Sequence, residues 1–340
     1  MKYKIGMFGG SFDPLHVGHI HDIIKAASVC EELYVMISWC EGRESTSKEL
    51  RYRWILSSTE HLPNVKIILV EDKAVSKEEY NTDFYWEQGA NNIKHLIGKT
   101  IDAVFCGDDY LGTNRFESLY CPESEVVYYK REEVPISSTE IREWAVNHWD
   151  YVPEVCRPYY TSKVLIVGGE STGKSTLVQN LALAYNTNFV SEVGRDTCKF
   201  AGGEEYMIAE DIYENLLRQK VNVMDALIHS NRILFVDTDA VTTLFYAEFL
   251  LTSNVQERKC RDLAEAINAI NDWDLVLFLE PTVEFVQDGT RNEEIATNRE
   301  KYSNQIKRLL NRHNVKYHCI GGDYLNRFTE SKHLGIGTQW

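Results

Sequence analysis

Residues 4–19, KIGMFGGSFDPLHVGH, pass from an apolar segment through a glycine-containing turn into the start of an amphipathic segment. A strand, a tight turn and a helix in this order begin a parallel α/β sheet. Small residues at the turn let backbone N–H groups approach an anion closely, and the helix N-terminus adds partial positive charge. The stretch therefore predicts a doubly wound α/β domain with an anion site at the end of its first strand.

A second stretch of this kind begins at residue 163. Residues 163–175, KVLIVGGESTGKS, match GxxxxGK[ST] between an apolar strand and a helix, which is the context of a P-loop. There the amides surround the ATP phosphates, Lys174 would reach the β and γ phosphates, and Ser175 would hold Mg²⁺. The predicted ATP-binding residues are Gly168, Gly169, Glu170, Ser171, Thr172, Gly173, Lys174, Ser175 and Thr176.

Apolar runs alternate with amphipathic segments around both stretches, which predicts two doubly wound parallel-sheet domains of the α/β class. A segment with two prolines separates the two series, so we expect domains at 1–152 and 163–340 joined by a linker at 153–162. The predicted strands are Lys4–Phe8, Leu33–Trp39, Val65–Val70, Ala103–Cys106, Val126–Tyr129, Val164–Val167, Asn188–Ser191, Ile233–Val236, Leu275–Leu279 and Tyr317–Ile320. The predicted helices are His19–Ser28, Lys48–His61, Phe84–Ile97, Ser138–Trp149, Lys174–Tyr185 and Tyr206–His229.

Composition agrees with this organisation. The chain has 340 residues, of which 44% are hydrophobic and 26% charged, as in soluble globular proteins of two domains. It contains no apolar run long enough for a transmembrane helix, and residues 1–14 lack the apolar core of a signal peptide. The expected location is therefore the cytoplasm.

Charge and cysteine content exclude further classes of function. The chain carries 36 basic and 51 acidic residues, a net charge of −15, so it has no general attraction for nucleic acid or anionic membranes. A few local amides and cations still suffice to bind phosphate. No CxxC pair occurs among the eight cysteines, so we expect buried free thiols rather than a zinc site.

His16 and His19 flank Gly18 at the start of the first predicted helix. Both can donate hydrogen bonds to phosphate oxygens, and either could be cationic near neutral pH. Taken alone, so short a motif also fits a glycine turn with two structural histidines.

The whole string GSFDPLHVGH resembles the signature of the HxGH nucleotidylyltransferases, and residues 136–142, ISSTEIR, are similar to their second signature. This superfamily transfers a nucleotidyl group from a nucleoside triphosphate and releases pyrophosphate. The resemblance implies that His16, His19 and Arg142 stabilise charge on the α-phosphate and the leaving pyrophosphate, with Mg²⁺ on the triphosphate. It also implies nucleotide contacts from Gly9, Gly10, Ser11, Phe12, Ser137, Ser138 and Thr139.

Three further residues of the first domain are candidates for substrate contacts. Arg51, in the Lys48–His61 helix, is either a ligand of the acceptor phosphate or a solvated helix arginine. Trp39 and Trp86 either stack on a base or pack in the core.

In the second domain, polar residues follow the apolar strands. Glu192 is a candidate acceptor of a substrate hydroxyl proton, with Arg195 nearby. Asp237 is a candidate metal residue, or else a helix cap. A polar segment after the strand at 275–279 predicts either a lid with phosphate-binding arginines or a solvated loop; its residues are Asp288, Arg291 and Arg299.

Together the two halves resemble the NadR-type bifunctional enzymes. The resemblance rests on GSFDPLHVGH, ISSTEIR, GGESTGKS and the domain order, with support from SEVGR, FVDTDA, VQDGTR and GDYLNRF. It implies that Phe285, where a tryptophan is usual, and Tyr324 sandwich a nicotinamide ring. Some members carry an N-terminal helix-turn-helix repressor module; this chain begins its first strand near residue 3, so we expect no DNA binding.

This resemblance implies phosphorylation of ribosylnicotinamide to NMN in the second domain and adenylyl transfer from ATP to NMN in the first, giving NAD. ATP, NMN, ribosylnicotinamide and NAD would be the partners, Mg²⁺ the cofactor, and a homo-oligomer the expected assembly. Two alternatives stay open. One is phosphopantetheine adenylyltransferase joined to dephospho-coenzyme A kinase, and the other is a kinase whose first domain only senses NAD or ATP.

Overall fold

A computed structural model describes residues 1–251, 253–286 and 293–336 of the chain. It divides the chain into two compact units at the bond between Cys156 and Arg157. Each unit contains its own parallel β-sheet with helices on both faces. The predicted α/β class with two doubly wound sheets is therefore confirmed.

The first unit has a five-stranded sheet, among the described residues, in the order β3-β2-β1-β4-β5. Helices α1 and α2 pack on β1, β2 and β3, and the apolar residues of α4 pack on the other face of the sheet. The strands are β1 Tyr3–Gly10, β2 Cys30–Trp39, β3 Val65–Glu71, β4 Ala103–Gly107 and β5 Glu125–Tyr129. The helices are α1 Val17–Val29, α2 Lys48–Thr59, α3 Lys77–Tyr80, α4 Asp83–Ile97, α5 Arg115–Tyr120 and α6 Ser138–Trp144.

The second unit repeats this plan with five described strands in the order β10-β9-β6-β8-β7. Its strands are β6 Ser162–Gly168, β7 Phe189–Val190, β8 Ile233–Asp237, β9 Leu275–Leu279 and β10 His318–Ile320. Its helices are α7 Arg157–Tyr160, α8 Lys174–Ala184, α9 Val193–Ala201, α10 Ala209–Ile228, α11 Ala240–Leu250, α12 Asn254–Ala269, α13 Glu293–Thr297, α14 Arg299–Arg312 and α15 Tyr324–Ser331.

Strands buried on both faces explain the continuous apolar runs of the second unit. Alternate residues of β6 point to opposite faces, so Val164 and Ile166 pack with α8, whereas Leu165 and Val167 pack with α10, α11 and α14. All five residues of β8 are buried for the same reason. Because helices cover both faces of the sheet, the sheet lies at the centre of the unit.

Strand order places both candidate sites. In the first sheet β1 lies between β2 and β4, and in the second β6 lies between β8 and β9. The chain therefore builds each sheet first on one side of the central strand and then on the other side. In doubly wound sheets the crevice at this switch point, beyond the carboxyl ends of the strands, is where ligands bind. The glycine turns after β1 and β6 lie at these two points.

Each predicted strand is present, with ends shifted by a few residues. The predicted helix Ser138–Trp149 is too long, since α6 ends at Trp144, and Tyr206–His229 is replaced by a short 3-10 turn and α10. The prediction missed the short helices α3, α5, α7 and α13 and the longer helices α9, α11, α12, α14 and α15. Helix α11 is apolar nearly all round, because it is buried among other helices, and so it lacks the period of a half-exposed helix.

Three findings concern membranes, cysteines and metal-binding groups. None of the described helices combines the length and apolarity needed to cross a bilayer. The expectation of buried thiols is wrong for Cys121 and Cys319, which are exposed, and for Cys40, which is half-buried. No group of residues suited to hold a metal through His, Cys, Asp and Glu alone occurs in the described part of the chain.

Candidate active sites

The first candidate site is a wide cavity at the carboxyl end of β1 and β4, in the first unit. The turn after β1 and the first residues of α1 and α6 line this cavity. The predicted residues that line it are Gly9, Gly10, Ser11, His16, His19, Trp86, Ser137, Ser138, Thr139 and Arg142. The two signatures, far apart in sequence, therefore meet on one surface.

His16 and His19 form a reciprocal cap at the start of α1. The Nδ1 atom of His16 accepts a hydrogen bond from the His19 backbone N–H at 3.2 Å, and His19 Nδ1 accepts one from the His16 N–H at 3.4 Å. The two rings stack with centroids 3.6 Å apart. Because each Nδ1 is an acceptor, each neutral ring carries its proton on Nε2.

Burial keeps both rings neutral. Loss of water lowers the pKa of His16 to about 4, and it lowers the pKa of His19 well below its ordinary value, with a further contribution from the neighbouring His16. The expectation that either ring is cationic near neutral pH is therefore wrong for the free protein. Two neutral Nε2–H donors remain for an incoming anion.

Asp13 organises the mouth of this cavity, and the sequence analysis did not single it out. Its carboxylate accepts hydrogen bonds from the backbone and hydroxyl groups of Ser45 and Thr46, at 2.6 to 3.0 Å. Although burial opposes ionisation, the hydrogen bonds from Thr46 and Ser45 lower the pKa of Asp13 below its ordinary value. Asp13 therefore stays charged and holds residues 45–46 against the turn after β1.

Arg142 reaches this turn from α6. Its guanidinium donates to the backbone carbonyl of Asp13 and to Thr139 Oγ1, and it lies 3.7 Å from the Asp13 carboxylate. Nearby, the Ser138 hydroxyl donates to the carbonyl of Pro14 at 2.8 Å. These contacts join α6 to the turn and fix one cation at the cavity wall.

Arg51 is neither a solvated arginine nor one of the described residues that line the cavity. It is 1% exposed, and its guanidinium donates to the carbonyls of Ser11 at 2.6 Å and Ser38 at 3.0 Å, beside Glu44 at 3.5 Å. Its donors therefore support the turn from within. The expected phosphate contact is not supported by this geometry.

Phe12 also differs from its predicted role. Its side chain is 1% exposed and contacts the His19 ring edge-on at 4.9 Å between centroids, so it supports the histidine rather than facing a nucleotide. Trp86 lies in an aromatic group with Tyr110 and Phe116 at the cavity wall. Trp39 carries Lys48 over its ring at 3.3 Å.

The second candidate site is a cavity beside the P-loop of the second unit. The residues that line it include Glu170, Ser171, Lys174, Glu192, Arg195, Glu204 and Tyr246. Of these, Glu204 and Tyr246 were not expected. Tyr246 belongs to α11, a helix that the sequence analysis missed because α11 is apolar nearly all round.

The P-loop between β6 and α8 requires glycine where the chain turns. Gly168 has φ +148°, and a Cβ there would lie 2.7 Å from the carbonyl oxygen of Leu279 in β9. The Thr172 hydroxyl and the Lys174 ammonium both donate to the carbonyl of Gly169, at 2.8 and 3.1 Å. The loop is thus closed on itself, with Lys174 folded across it.

Ser175 and Asp237 lie together at the end of β8. Ser175 Oγ donates to Asp237 Oδ2 at 2.6 Å, and Arg195 Nη2 donates to Ser175 Oγ at 3.3 Å. The other role considered for Asp237 was a helix cap. Asp239 has that role instead, since it accepts a hydrogen bond from the Thr242 N–H at the start of α11. Asp237 is therefore directed to the P-loop.

Helix α10 ties the parts of this site together. Gln219 donates to the carbonyl of Asp237 at 2.9 Å and accepts from the Val193 N–H at 3.1 Å, next to Glu192. Tyr246 faces the same cavity. Burial, together with the nearby carboxylates of Glu192, Glu170 and Asp237, raises the pKa of its phenol well above the ordinary value. Tyr246 is therefore a neutral donor in strongly acidic surroundings.

Two arginines hold the P-loop from behind. Arg327 is 1% exposed and donates to the carbonyls of Thr172 and Glu280, and Arg299 donates to the carbonyls of Ser171 at 3.0 Å and Val283 at 2.6 Å. Arg299 thus supports the loop from α14 instead of lying in a solvated segment. Asp288 and Arg291, the rest of the predicted lid, fall outside the described residues.

The two aromatics of the expected sandwich lie beside Arg299 and the P-loop. Phe285 lies under the Arg299 guanidinium, 5.8 Å from it. Tyr324 packs on the P-loop: its Cε1 is 3.0 Å from where a Gly173 Cβ would stand. Within the described residues, the cavity lining includes neither ring.

Comparison with known proteins gives the same division of the chain. Residues 7–144 match the model of the cytidylyltransferase-like family, and residues 163–327 match the model of an AAA domain family. The trifunctional NAD biosynthesis/regulator protein NadR of Escherichia coli (strain K12) is 28% identical over 96% of this chain and 81% of its own length.

Two further relatives bear on the separate domains and the fold. The phosphopantetheine adenylyltransferase of Streptococcus pneumoniae (strain 70585) is 38% identical over 45% of this chain and 93% of its own length. A crystal structure of a NadR protein in complex with NR matches 99% of this chain and 97% of its own, with TM-score 0.84 and 23% identity. At that identity the last match shows the common fold.

Replacing Arg51 by Met should destabilise the first unit by about 3–5 kcal/mol, because the carbonyls and Glu44 lose a buried charged partner. The measurement is the denaturant midpoint of the first unit. Arg53→Met is the matched control: Arg53 is exposed on the same helix, and its change should stay within about 0.5 kcal/mol. Equal effects of the two substitutions would contradict the supporting role of Arg51.

The pH dependence of stability tests the neutral histidines. The pKa of His16 is about 4 in the folded protein and near 6.5 in the unfolded chain, so the unfolded chain binds more protons between these values. Stability of the first unit should fall as pH falls through this window. Asn at position 16 keeps a capping oxygen. His16→Asn should therefore remove about 1–2 kcal/mol of the difference in unfolding free energy between pH 7 and 5.

This difference can be measured by urea titration, with amide exchange in β1 reporting on the first unit. Wild type and His16→Asn are compared at both pH values. An unchanged pH slope in the variant would show that His16 titrates alike in the folded and unfolded protein, contrary to the burial argument.

Proposed function

The chain belongs to the NadR family of NAD-biosynthesis proteins, and on that premise we propose that its two units catalyse successive reactions. The second unit phosphorylates ribosylnicotinamide to NMN with ATP. The first joins NMN to the adenylyl group of a second ATP, giving NAD and pyrophosphate. The product of one unit is thus the substrate of the other.

In the first unit, an oxygen of the NMN phosphate attacks the α-phosphorus of ATP, and the bond from that phosphorus to the β-phosphate oxygen breaks. His16 and His19 donate from Nε2 to phosphate oxygens, and these hydrogen bonds strengthen as negative charge grows on the leaving pyrophosphate. Arg142, held by Asp13 and Thr139, supplies fixed positive charge. The reaction needs orientation and charge stabilisation, with no covalent intermediate.

In the second unit, Lys174 binds the β and γ phosphates of ATP. Glu192 accepts the proton of the substrate hydroxyl while the hydroxyl oxygen bonds to the γ-phosphorus of ATP. The bond between the γ-phosphorus and the oxygen that bridges it to the β-phosphate breaks, and ADP leaves. Arg195 lies beside Ser175 and meets the transferred phosphoryl group. These roles follow from the position of the residues around one cavity beside the P-loop.

Ser175 Oγ and Asp237 Oδ2, 2.6 Å apart next to Lys174, fit a Mg²⁺ ion. Mg²⁺ prefers hard oxygen ligands, and the Ser175 hydroxyl and the Asp237 carboxylate would hold it. When bound, the ion neutralises charge on the β and γ phosphates.

The observation that carries the kinase proposal is the acidic lining of the cavity. Glu170, Glu192 and Glu204 line it, and Asp237 lies close by, whereas Lys174 and Arg195 are at the phosphate end. The ring of ribosylnicotinamide is a pyridinium cation, so carboxylates around the cavity favour its binding. Dephospho-coenzyme A carries an anionic diphosphate and no ring cation, so it lacks this match.

The remaining expectations are part of the same proposal. The protein acts in the cytoplasm on small molecules, as a homo-oligomer and without a nucleic-acid partner. The net charge of −15 supports the last point, because phosphate backbones are repelled by an acidic chain.

Product analysis by mass spectrometry tests both activities. With Mg-ATP, ribosylnicotinamide should give NMN and NMN should give NAD. Lys174→Ala should lower the first rate, and His19→Ala the second, each by about 10²-fold or more, since each removes a phosphate-stabilising donor. Arg53→Ala, at an exposed position, is the control and should change neither.

Each alternative has a distinct outcome in this assay. NMN without NAD would leave a kinase joined to a sensing domain. Turnover of 4′-phosphopantetheine and dephospho-coenzyme A, with no nicotinamide products, would replace the proposal.

The acidic cavity predicts discrimination by charge. Glu204→Gln should raise the KM for ribosylnicotinamide about three- to tenfold, because it removes one favourable charge, and should leave kcat nearly unchanged. The KM for the nicotinic acid riboside, whose ring carries an added carboxylate, should rise less or fall. Glu205→Gln, at the exposed neighbouring residue, is the control. Equal changes for both substrates would contradict charge recognition by Glu204.

A further inference from the structure

Helix α10 carries two amide side chains on its buried face. Gln219 is paired at both ends, through the contacts to Asp237 and Val193 described above. Asn215, one turn earlier, is 4% exposed, and its Oδ1 accepts a hydrogen bond of 2.6 Å from the Thr197 hydroxyl of α9. The oxygen end of Asn215 is therefore fixed by the neighbouring helix.

The nitrogen end of Asn215 has no such partner. The amide NH2 group has two donors, and no residue in the described part of the chain accepts a hydrogen bond from them. Buried polar groups in proteins are nearly always paired, because an unpaired donor costs stability. Asn215 is one of the residues that line the cavity beside the P-loop. Its N–H groups are therefore available to an acceptor on a bound substrate.

Gly194 leaves room beside this amide in the cavity wall. It belongs to α9 and has no positive φ, so its backbone conformation does not require glycine. In a helix, glycine is less favourable than alanine. A Cβ at this position would lie 3.5 Å from Asn215 Nδ2 and 3.9 Å from Glu192 Oε1. A donor and a carboxylate thus flank the space that a side chain at position 194 would fill.

We propose that the hydroxyl that receives the phosphoryl group is held between Glu192 and Asn215, in the space left by Gly194. This inference rests on the proposed kinase reaction and adds a substrate-binding residue to it. A hydroxyl group needs an acceptor for its proton, and its oxygen can accept a hydrogen bond. Glu192 Oε1 supplies the acceptor, and Asn215 Nδ2 supplies the donor.

Both contacts act on the reacting oxygen. As this oxygen bonds to the γ-phosphorus of ATP, its proton passes to Glu192, and the bond from the γ-phosphorus to the bridging oxygen of ADP breaks. The hydrogen bond from Asn215 occupies one lone pair of the oxygen and leaves another directed at the phosphorus. Asn215 therefore orients the nucleophile, which is a contribution of proximity and direction rather than of charge.

Thr197 is a positioning residue in this arrangement. It is not among the described residues that line the cavity, and it acts through its hydrogen bond to Asn215 Oδ1. Because the Thr197 hydroxyl holds the oxygen end of the amide, the nitrogen end lies towards Gly194. Without that hydrogen bond, the amide would be free to turn over and present its oxygen to the Glu192 carboxylate.

Two ligands measure the contact from Asn215. Ribosylnicotinamide carries the reacting 5′-hydroxyl, and its 5′-deoxy analogue, measured as a competitive inhibitor, lacks it. Asn215→Leu should lower kcat/KM for ribosylnicotinamide about tenfold, because the hydroxyl loses a hydrogen bond in a buried site. The same substitution should change the inhibition constant of the analogue by less than about twofold. Asn222→Leu, at an exposed position of α10, is the matched control and should change neither value.

Gly194→Ala tests the space between the donor and the carboxylate. Alanine favours the helix, so the melting temperature followed by circular dichroism should be equal or higher. The kcat/KM for ribosylnicotinamide should nevertheless fall at least about 30-fold, because the added methyl group takes the position of the hydroxyl. Thr197→Val should lower kcat/KM about threefold and leave the inhibition constant of the analogue unchanged.

The outcomes separate this inference from the proposed function. Equal losses for ribosylnicotinamide and the analogue in Asn215→Leu would show a purely structural role and overturn the inference. A Gly194→Ala protein that keeps the wild-type rate would also overturn it. A wild type that leaves ribosylnicotinamide unphosphorylated would refute the proposed function itself, and the inference with it.

Discussion

A backbone loop can direct its N–H groups at an anion only if its carbonyls are satisfied on the other side. Both units meet this constraint with buried arginines. Arg51 takes the carbonyl of Ser11 after β1, and Arg327 takes the carbonyl of Thr172 in the P-loop. An arginine suits the task because its fork of donors can meet several carbonyls at once while a buried stem packs with the core. The conformations of the two loops depend on these supports.

The second unit extends the constraint from the loop to the chemistry around it. Gln219 of α10 joins the end of β8 to the start of α9, so Asp237 and Glu192 are positioned by one side chain. The positions of Asp237 and Glu192 beside the P-loop are therefore set by the packing of a single long helix, whose inner face is part of the core.

The sequence predicted the ten strands and the two loops because apolar runs and glycine motifs are local signals. It could not predict that Arg51 is buried, although Trp54 and Ile55, one turn on, share its face of α2. It missed Tyr246 because the helix that carries it is apolar all round. The roles of Arg51 and Tyr246 depend on partners far along the chain, and no local pattern records those partners.

The stacked histidines have a consequence for the site between turnovers. In both rings Nδ1 accepts a hydrogen bond from a backbone N–H group, and the rings remain neutral. They therefore offer Nε2–H hydrogen-bond donors without a positive charge. A permanently cationic pair would retain inorganic phosphate and other abundant cellular anions after the product leaves. Neutral donors bind firmly only a ligand shaped to reach both of them. In the proposed reaction, such a site would discriminate against small anions and would still stabilise the charge that develops on the phosphates.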